Sequence, residues 1–346
     1  MNGFKVISLF SGCGGLDFGF AKAGYEIIFA NDFNRFACET YRHNFTNIFG
    51  HDCSYLVKGD INKLFDQIPE GADVMIGGAP CQSWSMMGNR KGADDIRGQL
   101  IFKQIEVLKE KKPRTFIWEN VKGILSHDEG NSFNSLIELI QQAGYEVHFQ
   151  VCNLSEYGVS QRRERVIIWG KPIDSKIDLL ACVPRKASRR ALKLGDLLTS
   201  IDPTLSNHEN QNLTTGGKAK EIFGEILRPG ENLANLKDVE IARRFAIKGI
   251  QNPPSRIKGF RPLYRLASNE VAPTMVFNNG TNIPWHPWKD RELSVAEAAA
   301  IQSFPIEFIF KGKLQEQYKQ VANAVPPAFS TLLAQSLLNQ LTKENV

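Results

Sequence analysis

The sequence predicts an α/β fold, a doubly wound and mostly parallel sheet that is joined to a smaller irregular domain. Over roughly the first half of the chain, short apolar runs alternate with segments of helical spacing, the pattern of βαβ units. Beyond Pro172 this alternation stops, and prolines, glycines and polar residues dominate as far as Asn282. A chain of 346 residues is long enough for one large domain and a smaller one.

The predicted elements of the first part follow one another in an alternating order. Gly24 and Gly144 stand directly after helical segments, where helices commonly end. The predicted strands are Lys5–Phe10, Tyr25–Ala30, Asp73–Gly77, Thr115–Trp118, Glu146–Cys152 and Arg165–Trp169, and the predicted helices are Leu16–Ala23, Arg35–His43, Gln99–Lys109 and Ser132–Ala143.

Helical spacing returns in the later part of the chain. Asp238–Ala246 is the clear helical segment inside the irregular region. The segment Ser294–Ser303 begins with a serine that Glu297 follows three residues later, which matches a capping box. A final helix is expected to pack back on the first domain, because it carries an apolar stripe. The stripe consists of Phe329, Leu332, Leu333, Leu337 and Leu341.

The composition is typical of a globular protein and argues against a membrane protein. Hydrophobic residues make up 42% and charged residues 23% of the chain, as in ordinary globular proteins. The sequence has no apolar run long enough to span a membrane, and its start shows no signal peptide, so we expect a cytoplasmic protein. A net charge of +5 is weak evidence for nucleic acid. Basic residues cluster between Arg185 and Lys193 and between Arg243 and Arg265, a pattern typical of phosphate binding, with a solvated surface as the alternative.

A glycine-rich turn, Phe10-Ser11-Gly12-Cys13-Gly14-Gly15, joins the first predicted strand to the first predicted helix. Glycines allow positive φ and close backbone approach, and a helix N-terminus offers N–H groups to an anion. The spacing is SGxGG rather than GxGxxG, which favours a cofactor with one carboxylate over a dinucleotide. Asp32 follows the second strand, where a ribose-binding acid is expected, and Asp60 could accept from an adenine amino group. Either acid could instead be a helix N-cap.

Cys81 lies directly after a predicted strand, in Gly77-Gly78-Ala79-Pro80-Cys81-Gln82, at the sheet edge where ligands bind. Cysteine is a strong nucleophile once part of it is thiolate. The polar segment from Gln82 to Gly98 has the composition of a mobile lid. The six cysteines show no CxxC pair, which argues against disulfides and a structural metal site, and most are expected in the core.

Three charged side chains are predicted to converge on the same edge. Glu119 ends the next strand and could hold a ring nitrogen while a thiolate attacks. Arg163 and Arg165 alternate at a strand start and so point to one face, where one could bind a base carbonyl and the other orient Glu119 or a phosphate. An exposed phosphate clamp is the alternative for this arginine-rich stretch.

Six motifs follow one another along the chain: Phe10–Gly15, Pro80-Cys81-Gln82, Glu119-Asn120-Val121, Gln161–Arg165, Arg291–Pro305 and Gln320–Pro326. In this order they resemble the motifs of the DNA (cytosine-5)-methyltransferases of bacterial restriction–modification systems, over nearly the whole chain. The resemblance implies the fold of S-adenosylmethionine-dependent methyltransferases, with methyl transfer to carbon 5 of a cytosine within a specific duplex DNA sequence.

The resemblance also implies roles for individual residues. Cys81 would add to carbon 6 of a flipped-out cytosine, since the ring face is inaccessible inside the stack. Carbon 5 would then take the methyl group, and loss of its proton with β-elimination would release the cysteine. Glu119 would contact N3 and the exocyclic amine and Arg165 the carbonyl oxygen, with Arg163 supporting the site. The positions that match cofactor contacts are Phe10, Gly12, Gly14, Asp32, Asp60, Pro80, Leu100 and Asn323.

Domains and partners follow from the same resemblance. Residues 1–180, completed by 305–346, would form the catalytic and cofactor-binding domain, 181–290 the target-recognition domain and 291–304 a hinge helix. The implied partner is double-stranded DNA, with a cognate restriction endonuclease acting separately, and a monomer associated with the nucleoid and without a metal is expected. Two positions depart from the family pattern: Ala322 replaces a glycine before Asn323, and Met87 a small polar residue.

Three other functions compete with this interpretation. A nucleotide-dependent oxidoreductase would leave Cys81, Glu119 and the arginines without a role. An inactive DNA-binding relative would be expected to lose Cys81 or Glu119, and both are present. A tRNA cytosine methyltransferase of the same superfamily shares the chemistry and is the main alternative. The long recognition stretch favours duplex DNA, and so do the motifs Arg291–Pro305 and Gln320–Pro326, which resemble those of the bacterial enzymes.

Overall fold

The computed structural model describes residues 2–79, 99–188, 190–202, 204, 229–230, 265–275, 277, 283–289 and 291–344. The predicted nucleophile Cys81, its neighbour Pro80, the lid from Gln82 to Gly98 with Met87, and the predicted helix Asp238–Ala246 lie outside these residues. By its contacts the chain divides into two compact units. The first unit comprises Met1–Val159, Arg163–Arg190 and Ala324–Val346, and the second Ser160–Arg162 and Ala191–Asn323.

The first unit contains a seven-stranded sheet in the order β3-β2-β1-β4-β5-β7-β6. Strands β1 to β5 pair in parallel, whereas β7 runs antiparallel to β5 and to β6. The prediction of a mostly parallel, doubly wound sheet is therefore confirmed. The strands are β1 (Lys5–Leu9), β2 (Glu26–Asp32), β3 (Leu56–Lys58), β4 (Val74–Gly77), β5 (Thr115–Val121), β6 (Tyr145–Asn153) and β7 (Glu164–Pro172).

Among the described residues, four α-helices lie before residue 145 and the other α-helices follow β7. Each of the four predicted helices of the first part is present, with ends that differ by a few residues. The described helices are α1 (Gly15–Lys22), α2 (Arg35–Phe49), α3 (Gln99–Lys111), α4 (Asn131–Gln142), α5 (Leu194–Thr199), α6 (Val295–Ile301), α7 (Leu314–Asn323) and α8 (Pro327–Glu344).

The centre of the sheet is buried on both faces. In β1 every residue after Lys5 is buried, and β4 is buried throughout. Such strands read as continuous apolar runs because helices cover both faces of a parallel sheet. Ser8 is the polar exception in β1, and its hydroxyl donates to the carboxylate of Asp17 in α1 at 2.9 Å.

Helix α8 returns the end of the chain to the first unit and packs on α1, as its apolar stripe predicts. The two helices approach so closely that a Cβ at Gly19 would lie 2.2 Å from the carbonyl carbon of Ser330. The hydroxyl of Ser330 donates to the carbonyl of Gly15 at 2.9 Å. Helix α8 therefore holds the start of α1, the helix that follows the glycine turn, in place.

The second unit has a buried ion pair at the start of α6. Ser294 and Glu297 form the predicted capping box, and Arg291 donates two hydrogen bonds of 2.7 Å to the carboxylate of Glu297. Helix α7 packs on α6, and the hydroxyl of Tyr318 donates to the carbonyl of Leu293. Residues 305–323, assigned by sequence to the catalytic domain, are grouped by these contacts with the second unit. The division of the chain by function stays a prediction.

No described helix is long and apolar enough to span a membrane. Likewise, the described part of the chain holds no group of three or more His, Cys, Asp or Glu side chains that could bind a metal ion.

Candidate active site

The glycine turn lies at the carboxyl end of β1 and leads into α1, as predicted. Phe10 has φ 57°, Gly12 φ 57° and Gly14 φ 90°, so the turn uses left-handed backbone at three positions. At Gly14 two effects exclude a side chain. One is the left-handed backbone, and the other is that a Cβ would lie 2.5 Å from Cε2 of Phe45. At Gly15 a Cβ would lie 2.4 Å from the carbonyl oxygen of Val325. The turn is therefore packed tightly on its inner side.

Gly12 presents the opposite situation. A Cβ built on Gly12 would meet no described atom within 4 Å. Its N–H donates to Oδ2 of Asp32 at 2.8 Å, which places the acid beside the turn. Open space next to a glycine backbone and an acid is a cradle that fits a ribose-bearing ligand with a carboxylate.

Asp32 ends β2 and is not the N-cap of α2, the alternative that the sequence left open. That cap is Asn34, whose Oδ1 accepts from the N–H groups of Phe36 and Ala37. Oδ1 of Asp32 accepts from the N–H of Asn34 at 2.7 Å. Burial raises the pKa of Asp32, and the backbone hydrogen bonds from Asn34 and Gly12 oppose that shift.

Asp60 does act as a cap. Its Oδ1 accepts from the backbone N–H and the side-chain amide of Asn62, both at 3.0 Å, at the start of the short 3₁₀ helix Ile61–Lys63. The strand that precedes it, β3, ends at Lys58, two residues earlier. A capping role and a role in cofactor binding are compatible, because a carboxylate has two oxygens.

Two residues near Asp32, Asn31 and Phe33, were not predicted from the sequence to belong to the site. The side-chain amide of Asn31 donates to the carbonyls of Val57 at 2.9 Å and Gly59 at 3.1 Å, which ties the ends of β2 and β3 together. Phe33 is 79% exposed, the largest exposed fraction among the described large apolar side chains. The sequence feature that could have indicated Phe33 is its place directly after Asp32, the acid that ends β2.

At the other end of the sheet edge, Glu119 of β5 and Arg165 of β7 form an ion pair. Arg165 Nε lies 2.7 Å from Glu119 Oε1, and the side chains are 12% and 16% exposed. The two strands are antiparallel neighbours in which Val121 pairs with Arg165. Gly78, just after β4, passes close to the backbone of β5, since a Cβ there would lie 2.3 Å from the backbone carbonyl oxygen of Glu119.

Arg163 precedes β7 and is 1% exposed. Its Nη2 donates to the carbonyl of Ala324 at 3.3 Å. Burial lowers the pKa of Arg163 to about 9, the nearby positive charge of Arg165 acts in the same direction, and Glu119 opposes both. The structure thus brings together the three charged residues that the sequence placed at this edge.

Asn120 links this charged group to the segment that carries Cys81. Its side-chain amide donates to the carbonyl of Ala79 at 3.1 Å, and Asn120 is 7% exposed. Ala79 is the last described residue before Pro80. Asn120 therefore fixes the chain where the cysteine segment begins, a role that the sequence analysis did not assign.

The remaining predicted cofactor contacts belong to different parts of the chain. Leu100, on α3, and Phe10 are both partly buried and pack against the same apolar cluster of the first unit. Asn323 ends α7 in the second unit and is exposed, and Ala322 before it is 8% exposed. Pro80 lies outside the described residues.

Comparison with known proteins gave consistent results. A family model described as C-5 cytosine-specific DNA methylase matches residues 4–339. The type II methyltransferase M.NgoFVII of Neisseria gonorrhoeae is 33% identical over 343 residues, which covers 96% of this chain and 86% of that protein. The type II methyltransferase M.FnuDI of Fusobacterium nucleatum is 33% identical over 348 residues, with 99% and 96% covered.

Solved structures share the fold over nearly the whole chain. A protein described as a DNA modification methyltransferase encoded within an Escherichia coli prophage has a TM-score of 0.74 at 23% identity, covering 98% of this chain and 99% of that one. A DNMT2 protein of Spodoptera frugiperda has a TM-score of 0.62 at 14% identity, with 96% and 99% covered.

Proposed function

The chain belongs to the family of C-5 cytosine-specific DNA methylases, and from this premise we propose how its own residues carry out the reaction. The enzyme methylates carbon 5 of cytosine in DNA and takes the methyl group from S-adenosylmethionine. The observation that carries the residue assignment is the Glu119–Arg165 ion pair of 2.7 Å beside the anchored start of the cysteine segment.

At the base end we assign the nucleophile to Cys81. Its thiolate forms a bond to carbon 6 of a flipped-out cytosine, which makes carbon 5 nucleophilic toward a methyl group. When bound, S-adenosylmethionine supplies that group in electrophilic form. A solvent base then takes the proton from carbon 5, the electron pair of that bond restores the C5–C6 double bond, and the Cys81 sulfur leaves carbon 6 as a thiolate.

Glu119 and the arginines hold the base in this scheme. Arg165 engages Oε1 of Glu119, so the other carboxylate oxygen is assigned to the base. It accepts from the cytosine amine, and it accepts from N3 once addition of the thiolate leaves a proton on that nitrogen. The guanidinium of Arg165 has further N–H groups for the base carbonyl. Arg163 is buried beside this pair, and its contact with Ala324 suits a supporting role.

At the donor end the assignment follows the parts of the cofactor. The N-terminus of α1 and the turn with Phe10, Gly12 and Gly14 bind the carboxylate of the methionine moiety. Asp32 accepts from the ribose hydroxyls, and the exposed ring of Phe33 stacks on the adenine. The remaining cofactor contacts are assigned to Asp60, Pro80, Leu100 and Asn323.

Recognition and biological context belong to the proposal as well. Residues 181–290 read a specific duplex sequence, and residues 291–304 serve as a hinge. Because the relatives named above are type II methyltransferases, the enzyme protects host DNA from a cognate restriction endonuclease that acts separately. It works as a monomer in the cytoplasm, at the nucleoid.

Methyl transfer with labelled S-adenosylmethionine tests the substrate. Tritium is expected in duplex DNA and not in tRNA, and bisulfite sequencing of the labelled DNA would identify the target sequence. Labelling of tRNA alone would contradict the proposal. Duplex with 5-fluorocytosine at the target should form an adduct that survives denaturation, because fluorine cannot leave as a proton does.

A further inference from the structure

A buried acid beneath the glycine turn has no role in the proposed function. Asp17 is the third residue of α1 and is 0% exposed. Ser8 of β1 donates to its Oδ2 at 2.9 Å, and the hydroxyl of Tyr41 in α2 donates to its Oδ1 at 3.0 Å. Asp17 therefore joins the three elements that surround the cofactor turn.

The groups that act on Asp17 are hydroxyls, a thiol and another acid. They are Ser8 from β1, Tyr41 from α2, Asp32 from β2, Cys13 from the turn itself and Tyr55 just before β3, and no cation is among these described groups. Burial without a cation raises the pKa of Asp17 to about 7, although the hydroxyls of Ser8 and Tyr41 oppose the shift. The pKa of Cys13 is raised to about 12 and that of Tyr41 well above its ordinary value, so both stay neutral near pH 7.

We propose that Asp17 is a positioning residue that controls how strongly the turn holds the carboxylate of the cofactor. In its neutral form Asp17 ties α1 to β1 and α2 and leaves the partial positive charge of the helix N-terminus to the cofactor. In its ionised form it places a second negative charge in the first turn of the same helix, and the two like charges repel. This inference depends on the proposed donor site.

Thermodynamic linkage gives the direction of the effect. A ligand carboxylate that repels ionised Asp17 favours proton uptake by Asp17 when it binds. Affinity should therefore fall as pH rises through the range in which Asp17 ionises. Asp32 acts in the opposite direction, because its ionised form is the better acceptor for ribose hydroxyls, so the two acids must be separated experimentally.

Calorimetric titration with S-adenosylhomocysteine separates the effect of Asp17 from that of Asp32. The titration is carried out on the wild type and on Asp17→Asn. Asparagine keeps the size and polarity of the side chain but cannot ionise. From about pH 5.5 to about 8.5, wild-type affinity should fall by about tenfold relative to the variant, the factor that one pKa unit of coupling produces. The titration of Asp32 and of the ligand is common to both proteins and cancels in the ratio.

A ligand without a carboxylate provides the matched control. Methylthioadenosine has the adenosine part but no amino-acid part, so its affinity should follow the same pH dependence in both proteins. A second variant, Tyr41→Phe, removes one hydroxyl donor to the ionised acid. It should move the fall in S-adenosylhomocysteine affinity to higher pH without abolishing it.

The outcomes separate the two proposals. Equal pH dependence of S-adenosylhomocysteine binding in the wild type and Asp17→Asn would overturn the role of Asp17. Failure of the wild type to bind S-adenosylhomocysteine at any pH would instead contradict the donor site. If Asp17→Asn does not fold, the shift expected for Tyr41→Phe decides, and an unshifted curve would count against the inference.

Discussion

The two ends of the candidate active site are built in different ways. The donor end is made largely of backbone: left-handed φ at Phe10, Gly12 and Gly14, and a hydrogen bond from the N–H of Gly12 to Asp32. The base end is made of side-chain charges on neighbouring strands, with Glu119 and Arg165 at 2.7 Å. A backbone site is damaged by adding atoms, whereas a site made of charges is damaged by removing them.

The largest effect on kcat is expected at Cys81, the nucleophile of the base end. Cys81→Ser should lower kcat by on the order of a thousandfold or more, because a hydroxyl is a far weaker nucleophile than a thiolate. Affinity for S-adenosylhomocysteine should stay unchanged, since the thiol acts on the base alone. Methyl transfer and calorimetry on the same preparation measure both. Near-native turnover of the serine variant would show that covalent addition by Cys81 is wrong.

Removing a charge from the base end should have the next largest effect. Glu119→Gln keeps the shape of the side chain but leaves Arg165 largely buried without its counterion. We expect a loss of roughly 10²–10⁴ in kcat, the usual worth of a positioned acid–base group. Cofactor affinity should change little. Equal losses of cofactor affinity and kcat would mean that the two ends are not independent.

Adding a methyl group tests the donor end. Gly12→Ala would place its Cβ in the open space of the cradle, so cofactor affinity should fall by tenfold or more, which is at least about 1.4 kcal/mol. Gly14→Ala is the matched variant, because its Cβ would lie 2.5 Å from Phe45. It should instead lower the free energy of unfolding, by about 2–4 kcal/mol.

Thermal unfolding and calorimetry distinguish these two glycine variants. Gly12→Ala should bind weakly and lose only the cost of left-handed backbone, about 1–2 kcal/mol of the free energy of unfolding. Gly14→Ala bears the same cost and the clash with Phe45, so its unfolding temperature should be clearly lower than that of Gly12→Ala. Native cofactor affinity in Gly12→Ala would show that the open space at this glycine is not part of the donor site.

The same contrast explains what could be predicted from sequence. The donor turn is local, so its glycines and spacing are visible in six consecutive residues. The capping box of Ser294 and Glu297 is local too, and it was predicted correctly. At the base end Glu119 and Arg163 are more than forty positions apart in sequence. Their places at the ends of two predicted strands, together with the order of the motifs, indicated that they meet.

Features that depend on packing could not be predicted. Strand β3, with three residues, is too short to show a period. The sequence left open whether Asp32 and Asp60 are caps, and the structure gives a different answer for each, because Asn34 caps α2 while Asp60 caps its own turn. The burial of Asp17 likewise depends on β1 and α2, which meet it through the fold.

The smallest expected effect concerns Phe33, the aromatic side chain proposed to stack on the adenine at the donor end. Phe33 is 79% exposed, so Phe33→Ala should leave the free energy of unfolding nearly unchanged. A stacked base loses about 1–3 kcal/mol when its aromatic partner is truncated, so S-adenosylhomocysteine affinity should fall by roughly tenfold. Phe33→Tyr keeps the ring and should bind like the wild type. Equal affinities of the alanine and tyrosine variants would remove Phe33 from the site and leave a donor end made of backbone and acids.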